Sequence, residues 1–127
     1  MKSIKTKSLE ISFIDSDILQ LKYEDNIDVD KSMSAENYNA YDTLAGQMDG
    51  IKRLVILGKN MNMTQEAKMF SKVEDAKRES KIKAQAILVS DYFHQVASTV
   101  YFKLFTPKYI NKMFKSREKA FEWLKSI

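Results

Sequence analysis

Two short apolar segments in the middle of the chain constrain its fold more than any other feature. Residues 53–57 read RLVIL and residues 84–90 read AQAILVS, and both contain β-branched side chains. Continuous apolar runs of this length are typical of strands buried on both faces, as in a parallel sheet covered by helices. Each run is followed by a residue that can cap a helix, Thr64 and Asp91. The pattern therefore predicts an α/β fold.

The first part of the chain has a different periodicity. Residues 8–14 and 17–23 alternate between apolar and polar side chains, which is typical of strands with one buried face. Residues 15–17 read DSD and favour a tight turn. We therefore expect an antiparallel hairpin. Its buried face is expected to contain Leu9, Ile11, Phe13, Leu19, Leu21 and Tyr23.

Four further segments are predicted to be helical, because their apolar residues recur at spacings of three and four. The residues expected to begin them are Ser32 or Ser34, Thr64, Asp91 and Ser116. Gly50 suits a stop after the first helix, and Pro107 cannot continue the third. The core-facing stripes are expected to be Tyr38, Tyr41, Leu44, Ala45 and Met48, then Met69, Phe70, Val73 and Ala76, and in the last helix Ala120, Phe121, Leu124 and Ile127.

A short edge strand predicted over residues 109–114 completes the order β-β-α-β-α-β-α-β-α. Strands that alternate with helices after a hairpin predict a mixed, mostly parallel sheet, here of five strands with four helices. The chain contains no repeat, low-complexity tract or linker. We therefore expect residues 1–127 to form one domain, with an ordered core from about residue 8.

Composition excludes several classes of function. The chain has no cysteine, a single histidine (His94) and three glycines, so disulfides, thiolate chemistry, His-rich metal sites and glycine-rich phosphate loops are excluded. We expect no metal and no cofactor. No apolar run approaches the length of about 20 residues that a membrane span needs. The first residues also lack the apolar core of a signal peptide, so a cytoplasmic protein is expected.

The charges divide the chain into an acidic part and a basic part. Residues 1–50 contain five basic and ten acidic side chains, whereas residues 51–127 contain 16 basic and seven acidic ones. Only three of the 21 cations are arginine, which is the better phosphate ligand, and no nucleic-acid-binding motif is present. These features argue against a nucleic-acid partner and favour lysines that solvate helix surfaces.

Three strings and this order of elements resemble a known family. The strings are RLVILGKN followed by TQEAKMF, AQAILVSD followed by an aromatic-rich segment, and MFKSREKAFEWL. They resemble the STAS or SpoIIAA-like family of bacterial anti-sigma-factor antagonists, and more closely small bacterial SpoIIAA-like proteins, from residue 8 to residue 126. The resemblance implies a STAS-like α/β sandwich that acts in protein interaction or regulation.

The antagonists also share an Asp-Ser-Ser-Gly string after the central strand, and its serine accepts phosphate from a partner kinase. The corresponding residues here are Asn62-Met63-Thr64-Gln65, which lack the acidic residue and the glycine. Thr64 therefore has two interpretations, a helix cap or a phosphoacceptor at the positive end of a helix dipole. Lys59 and Asn60 lie in the loop after the preceding strand, at the edge where open α/β sheets bind ligands.

The predicted third helix carries more aromatic surface than one sheet face can cover. Helical geometry places Phe102 about 180° from Phe93, and Tyr101 and Phe105 flank the stripe. Either the C-terminal strand or helix covers these rings, or they form an interface with a second copy or another protein. A small hydrophobic ligand beside this helix is a third interpretation.

The sequence therefore predicts a non-catalytic protein-interaction or regulatory module, docking or self-associating through the aromatic helix. The alternative is a carrier or sensor of a small apolar or anionic ligand, bound between helix 92–105 and loop 59–63. An enzyme is not expected, because no nucleophile–base pair, metal-ligand set or phosphate loop can be assembled from the sequence.

Overall fold

The alternating segments at the start of the chain form an antiparallel meander in the computed structural model, which describes residues 3–89 and 107–127. β1 (Ser3–Lys5) pairs with β2 (Leu9–Phe13), and β2 pairs with β3 (Ile18–Tyr23). The predicted hairpin is confirmed, and all six residues expected on its buried face join one hydrophobic cluster. The prediction missed β1, because three largely exposed residues are too few to show a periodicity.

The remaining elements alternate between strands and helices. They are β4 (Asp28–Val29), α1 (Lys31–Ala45), β5 (Ile51–Ile56), β6 (Asn62–Met63), α2 (Gln65–Arg78), a 3₁₀ turn (Glu79–Lys81), β7 (Ile82–Leu88), β8 (Ile110–Phe114) and α3 (Arg117–Ser126). The main sheet has the order β1-β2-β3-β5-β7-β8 and is parallel from β3 onwards. The α/β class and the mixed sheet are confirmed. The described residues place six strands in this sheet instead of five, and β4 and β6 form a separate ladder.

The two faces of the sheet carry different helices. α1 packs on the face that contains Leu19 and Ile51, with α2 beside it. Right-handed crossovers between strands added in one direction place successive helices on the same face. α3 packs on the opposite face, where Ala120 and Leu124 are buried against Leu54 as predicted. No helix in the described part of the chain is both long enough and apolar enough to span a bilayer.

The limits of α1 differ from those predicted. Asp30 is its N-cap, and its carboxylate accepts the Met33 backbone N–H at 2.9 Å. The serines expected to cap it lie inside the helix, because Asp30 already satisfies the free N–H. The helix ends at Gly46, whose φ of 57° lies in the left-handed region. Met48 therefore lies beyond the helix and is 37% exposed.

The apolar stripe predicted to bury α2 is wrong for Met69, Val73 and Ala76, which are exposed. Met69 is 47% exposed and Val73 is 56% exposed, whereas Ala67 and Ser71 are buried. α2 lies against α1 through these small residues, and the Tyr38 hydroxyl of α1 donates to the Ser71 carbonyl at 3.1 Å. Phe70 is half-buried and packs edge-on against the Tyr38 ring, with 6.3 Å between the ring centres, so this member of the predicted stripe does contact α1.

The predicted third helix and its aromatic residues, together with His94, lie outside the described residues.

Candidate functional site

The candidate site lies at the carboxyl ends of β3 and β5, two adjacent parallel strands. Their connections, residues 24–30 and 57–64, lead into α1 and α2. In an open α/β sheet this edge carries the loops on which ligands and partners bind. We call these two loops together the carboxyl-edge platform.

The two loops of the platform are hydrogen-bonded to each other along their length. The Asn26 N–H donates to the Lys59 carbonyl at 2.7 Å, and the Lys59 N–H donates to the Asp25 carboxylate at 2.7 Å. Further along, the Asn62 and Thr64 N–H groups donate to loop 24–30 at 2.9 and 3.0 Å. These bonds form the β4–β6 ladder, so the loops constitute one ordered unit.

Two asparagines allow both loops to turn sharply at the same level. Asn26 and Asn60 have φ values of 54° and 55°, in the left-handed region that asparagine tolerates better than most residues. The Asn60 side-chain amide donates to the Asn26 side-chain oxygen at 3.2 Å. The sharp turns therefore support each other, and both residues remain exposed.

Gly58 fixes the distance between the loops. A Cβ atom at this position would lie 2.0 Å from the Glu24 carbonyl oxygen and 3.0 Å from the Asp25 nitrogen. Both neighbouring atoms belong to the backbone and cannot rotate away. Gly58 is therefore required for the close approach of the two chains, rather than for an unusual φ.

Both helices that leave the platform are capped by side chains. Thr64 caps α2, and its hydroxyl oxygen accepts the Ala67 N–H at 3.1 Å. Thr64 is exposed, and its hydroxyl hydrogen is not used in this bond. Glu66 lies in the first turn of α2, as a favourable charge–dipole interaction requires. The cap bond therefore uses the threonine hydroxyl only as an acceptor.

The surface of the platform is polar and mixed in charge. Its exposed side chains are Glu24, Asp25, Asn26, Asp28, Asp30, Lys59, Asn60, Asn62 and Thr64. Among the residues that the structure describes, no three acidic or histidine side chains lie together in a way that could hold a metal ion. Chemically, the platform presents amide, hydroxyl, ammonium and carboxylate groups on a backbone that is already in place.

The structure thus brings three of the predicted site residues together, Lys59, Asn60 and Thr64, and all are exposed. Tyr101, Phe102 and Phe105 lie outside the described residues, and so does the helix side of the predicted ligand site. Sequence analysis missed the opposing loop, whose residues look like an ordinary polar connection. The signal that could have found it is the aspartate–asparagine pair 25–26, which favours a left-handed turn at the end of a strand.

A second polar cluster lies inside the molecule, between the sheet and α2. Arg53 of β5 is 5% exposed and donates to the Asp75 carboxylate at 2.9 Å. The Tyr109 hydroxyl accepts from Arg53 at 2.8 Å and donates to Asp75 at 2.5 Å. The rings of Tyr41 and Tyr109 lie 5.6 and 5.3 Å from the guanidinium. The cluster therefore joins β5, α2, α1 and the start of β8.

Burial and charge act against each other in this cluster. Burial disfavours the charged guanidinium, but Asp75 and the two tyrosines outweigh it, and the pKa of Arg53 lies well above its usual value. Burial on its own would raise the pKa of Asp75. The charge of Arg53 and the hydrogen bonds from Arg53 and the Tyr109 hydroxyl have a larger effect in the opposite direction, so the pKa of Asp75 is lowered. Burial raises the pKa of Tyr41. Arg53 and Asp75 therefore form a fully charged internal pair.

Arg78 makes a comparable link at the end of α2. It donates to both carboxylate oxygens of Asp42 at 2.7 Å, and to the Glu74 carbonyl at 2.6 Å. Its guanidinium also lies 4.7 Å from the centre of the Tyr38 ring. These contacts tie the last turn of α2 to α1, so both ends of α2 are fixed in place.

The described residues also line a shallow cleft of about 210 Å³ on β1, β2 and β3. Its walls are Lys5, Glu10, Lys22, Tyr23 and Glu24. Lys5 and Glu24 approach to 3.9 Å across it, and both side chains are well exposed. The cleft is open and charged, and Glu24 is the wall that it shares with the carboxyl-edge platform.

The structure has a SpoIIAA-like fold. The structure superimposes with a TM-score of 0.72 on a crystal structure from Shewanella loihica PV-4, an uncharacterised DUF3478-family protein with a SpoIIAA-like fold. The two chains are 14% identical, over 98% of this chain and 99% of the other. At this identity the similarity shows the fold. The chain itself belongs to the family described as a domain of unknown function, DUF7793, whose model matches residues 12–127. A search of curated proteins found no match.

Proposed function

We propose that this chain is a non-catalytic, STAS-like interaction module whose protein partner docks on the carboxyl-edge platform. The main support is the hydrogen-bonded union of loops 24–30 and 57–64, which presents exposed polar side chains on an ordered backbone. A surface that is ordered before binding loses less conformational entropy when a partner binds. The platform suits a polar peptide segment, because it offers donors and acceptors side by side.

Thr64 gives the module a means of regulation. Thr64 is an exposed residue at the N-terminus of α2, where a phosphate would be stabilised by the helix dipole. A phosphate would also change the charge of the platform beside Lys59. We propose that phosphorylation of Thr64 controls docking, in line with the STAS-like fold.

Site-specific photocrosslinking in cells that naturally make the protein tests the docking surface. A photoreactive residue at Asn60 or Asn62 is expected to capture a protein partner. The same residue at Lys83, which is exposed near the amino end of β7, is the control and is expected to capture none. The partner is then purified, and its dissociation constant is measured with Lys59→Glu and Lys83→Glu variants. Binding that is insensitive to Lys59→Glu, or crosslinks of equal yield at Lys83, would contradict the proposal.

Substitutions at Thr64 distinguish its role as a helix cap from its role as a phosphoacceptor. Thr64→Ser keeps both functions, Thr64→Asp keeps the cap without the hydroxyl, and Thr64→Ala removes both. We expect only Thr64→Ala to lower the unfolding free energy, by about 1 kcal/mol.

If phosphorylation regulates docking, gently purified wild-type and Thr64→Ser proteins carry the mass of one phosphate, and the other two do not. An unmodified mass under every growth condition would remove the regulatory part of the proposal. A larger, ligand-sized mass would favour the carrier alternative.

A further inference from the structure

We propose that the outward face of α2 is the contact surface for a second copy of this chain. Met69, Val73 and Ala76 are exposed and lie on one stripe of the helix. Met69 and Val73 lie about 120–160° from the buried residues Ala67 and Ser71 around the helix, so the stripe points away from α1. This inference stands independently of partner docking on the carboxyl-edge platform.

The stripe is unusual among the described residues. Four large apolar side chains there are clearly exposed, namely Met48, Met69, Val73 and Ile110. Two of the four are neighbours on successive turns of α2. Scattered single apolar residues are ordinary on a protein surface, but a contiguous patch on a rigid helix is typical of an interaction surface.

The charges beside the stripe indicate what covers it. Glu66 lies in the first turn of α2, and Lys77 lies in the last turn, where its exposed ammonium also pairs with Glu74 at 2.8 Å. By helical geometry, both lie about 60–80° to the same side of Met69. In an antiparallel pair related by a two-fold axis, the same flank of each helix meets. Glu66 of one copy then faces the partner's Lys77, and the ion pair occurs twice.

This charge pairing also fixes the register. With Glu66 beside the partner's Lys77, the two-fold axis passes the helix between residues 71 and 72. Met69 of one copy then packs near the partner's Val73, and the opposed helix dipoles are favourable. Lys72 lies on the other flank near the axis, so its two copies repel each other. A single helix pair buries less surface than stable dimers do, so we expect a weak, concentration-dependent dimer.

Analytical ultracentrifugation of the full chain at low salt tests the proposal. Protein concentrations up to about 1 mM allow a dissociation constant in the millimolar range to be detected. Val73→Glu is expected to abolish the dimer, because it places a charge in the apolar contact. Ile110→Glu, at an equally exposed site on β8, is the matched control and should leave the dimer intact. Lys59→Glu on the platform should also leave it intact, which separates this proposal from the docking proposal.

Charge reversal tests the orientation of the two helices. Glu66→Lys alone and Lys77→Glu alone should each weaken the dimer by about threefold to tenfold, since two exposed ion pairs are lost. The double variant Glu66→Lys, Lys77→Glu should restore the parental affinity.

Because the chain has no cysteine, Met69→Cys and Val73→Cys variants can also be mixed. The mixed disulfide should form faster than either symmetric one.

Two results would overturn the proposal. One is a monomer at every concentration. The other is a dimer that survives Val73→Glu, and if Phe102→Asp dissociates that dimer, self-association uses the aromatic segment predicted from the sequence. Failure of the double charge reversal to restore affinity would reject the antiparallel arrangement.

Discussion

At the scale of single residues, the ion pair between Arg53 and Asp75 makes both positions sensitive to substitution. The two side chains are 6% and 20% exposed, and each balances the charge of the other. Removing one member of a buried pair is costly, because the remaining charge has lost its partner. Replacing both members with apolar side chains of similar volume is far less costly.

The first prediction follows from this asymmetry. Arg53→Met is expected to lower the unfolding free energy by about 3 kcal/mol or more, because Asp75 is left charged and unpaired. The combination of Arg53→Met with Asp75→Leu is expected to lose less than the sum of the two single variants. Chemical denaturation of the four proteins measures the coupling energy. Strict additivity would mean that the pair does not stabilise the fold as a unit.

The second prediction concerns pH. The pKa of Asp75 lies below its ordinary value of 3.8 in the folded protein, so the folded state favours the ionised carboxylate. The resulting stabilisation is complete above the unfolded pKa and is lost as pH falls through the folded pKa. The difference in unfolding free energy between wild type and Asp75→Asn should therefore be constant near neutral pH and shrink below about pH 4. A difference that is unchanged down to pH 2 would contradict this assignment.

At the scale of elements, the third prediction compares two glycines. Gly58→Ala is expected to lower the unfolding free energy by about 2 kcal/mol or more, because its Cβ would meet the backbone of loop 24–30. Gly46→Ala meets no neighbouring atom and should cost about 1–3 kcal/mol from its backbone conformation alone, because its φ of 57° and ψ of −128° suit glycine and few other residues. Amide chemical shifts should change across loop 24–30 in the first variant and only locally in the second. Chemical-shift changes that are confined to the site of substitution in both variants would mean that the loops separate easily.

The elements also show what could be predicted from sequence. The faces of β2 and β3 were correct, because strict alternation leaves one choice of buried face. The face of α2 was wrong except for Phe70, because α2 buries Ala67, Ser71 and the paired Asp75, whereas the periodicity emphasises larger side chains. β4 and β6 have two residues each and form only because distant loops pair. Such pairing depends on tertiary contacts that local patterns do not contain.

The candidate site was predicted in part for the same reason. Lys59, Asn60 and Thr64 follow a buried strand and precede a helix, so their place at the sheet edge follows from local order. Asp25 and Asn26 join them across 34 residues of sequence through specific hydrogen bonds. Arg53 was read as part of an apolar strand, and nothing nearby in the sequence identifies Asp75 and Tyr109 as its partners.

At the scale of the whole molecule, stability should be distributed unevenly across the sheet. β5 lies between β3 and β7, and Leu54 and Ile51 within it are almost completely buried. β1 is an edge strand of three residues. The fourth prediction is that β5 amides exchange with solvent only on global unfolding, whereas β1 amides exchange by local opening. Native-state hydrogen exchange measures both, and equal protection of β1 and β5 would contradict this gradient.

The order of strands has a consequence for synthesis on the ribosome. In the six-stranded sheet, each strand pairs with the strand that precedes it in that sheet along the chain. Domains fold from the N-terminal side as they are translated, at about 5–20 residues per second. No strand has to be inserted later between two that have already paired, so the nascent sheet can grow outward from one edge. An arrested chain that ends after α2 should therefore already contain β1, β2, β3 and β5 in native register. The edge of β5 that later pairs with β7 would still be unpaired.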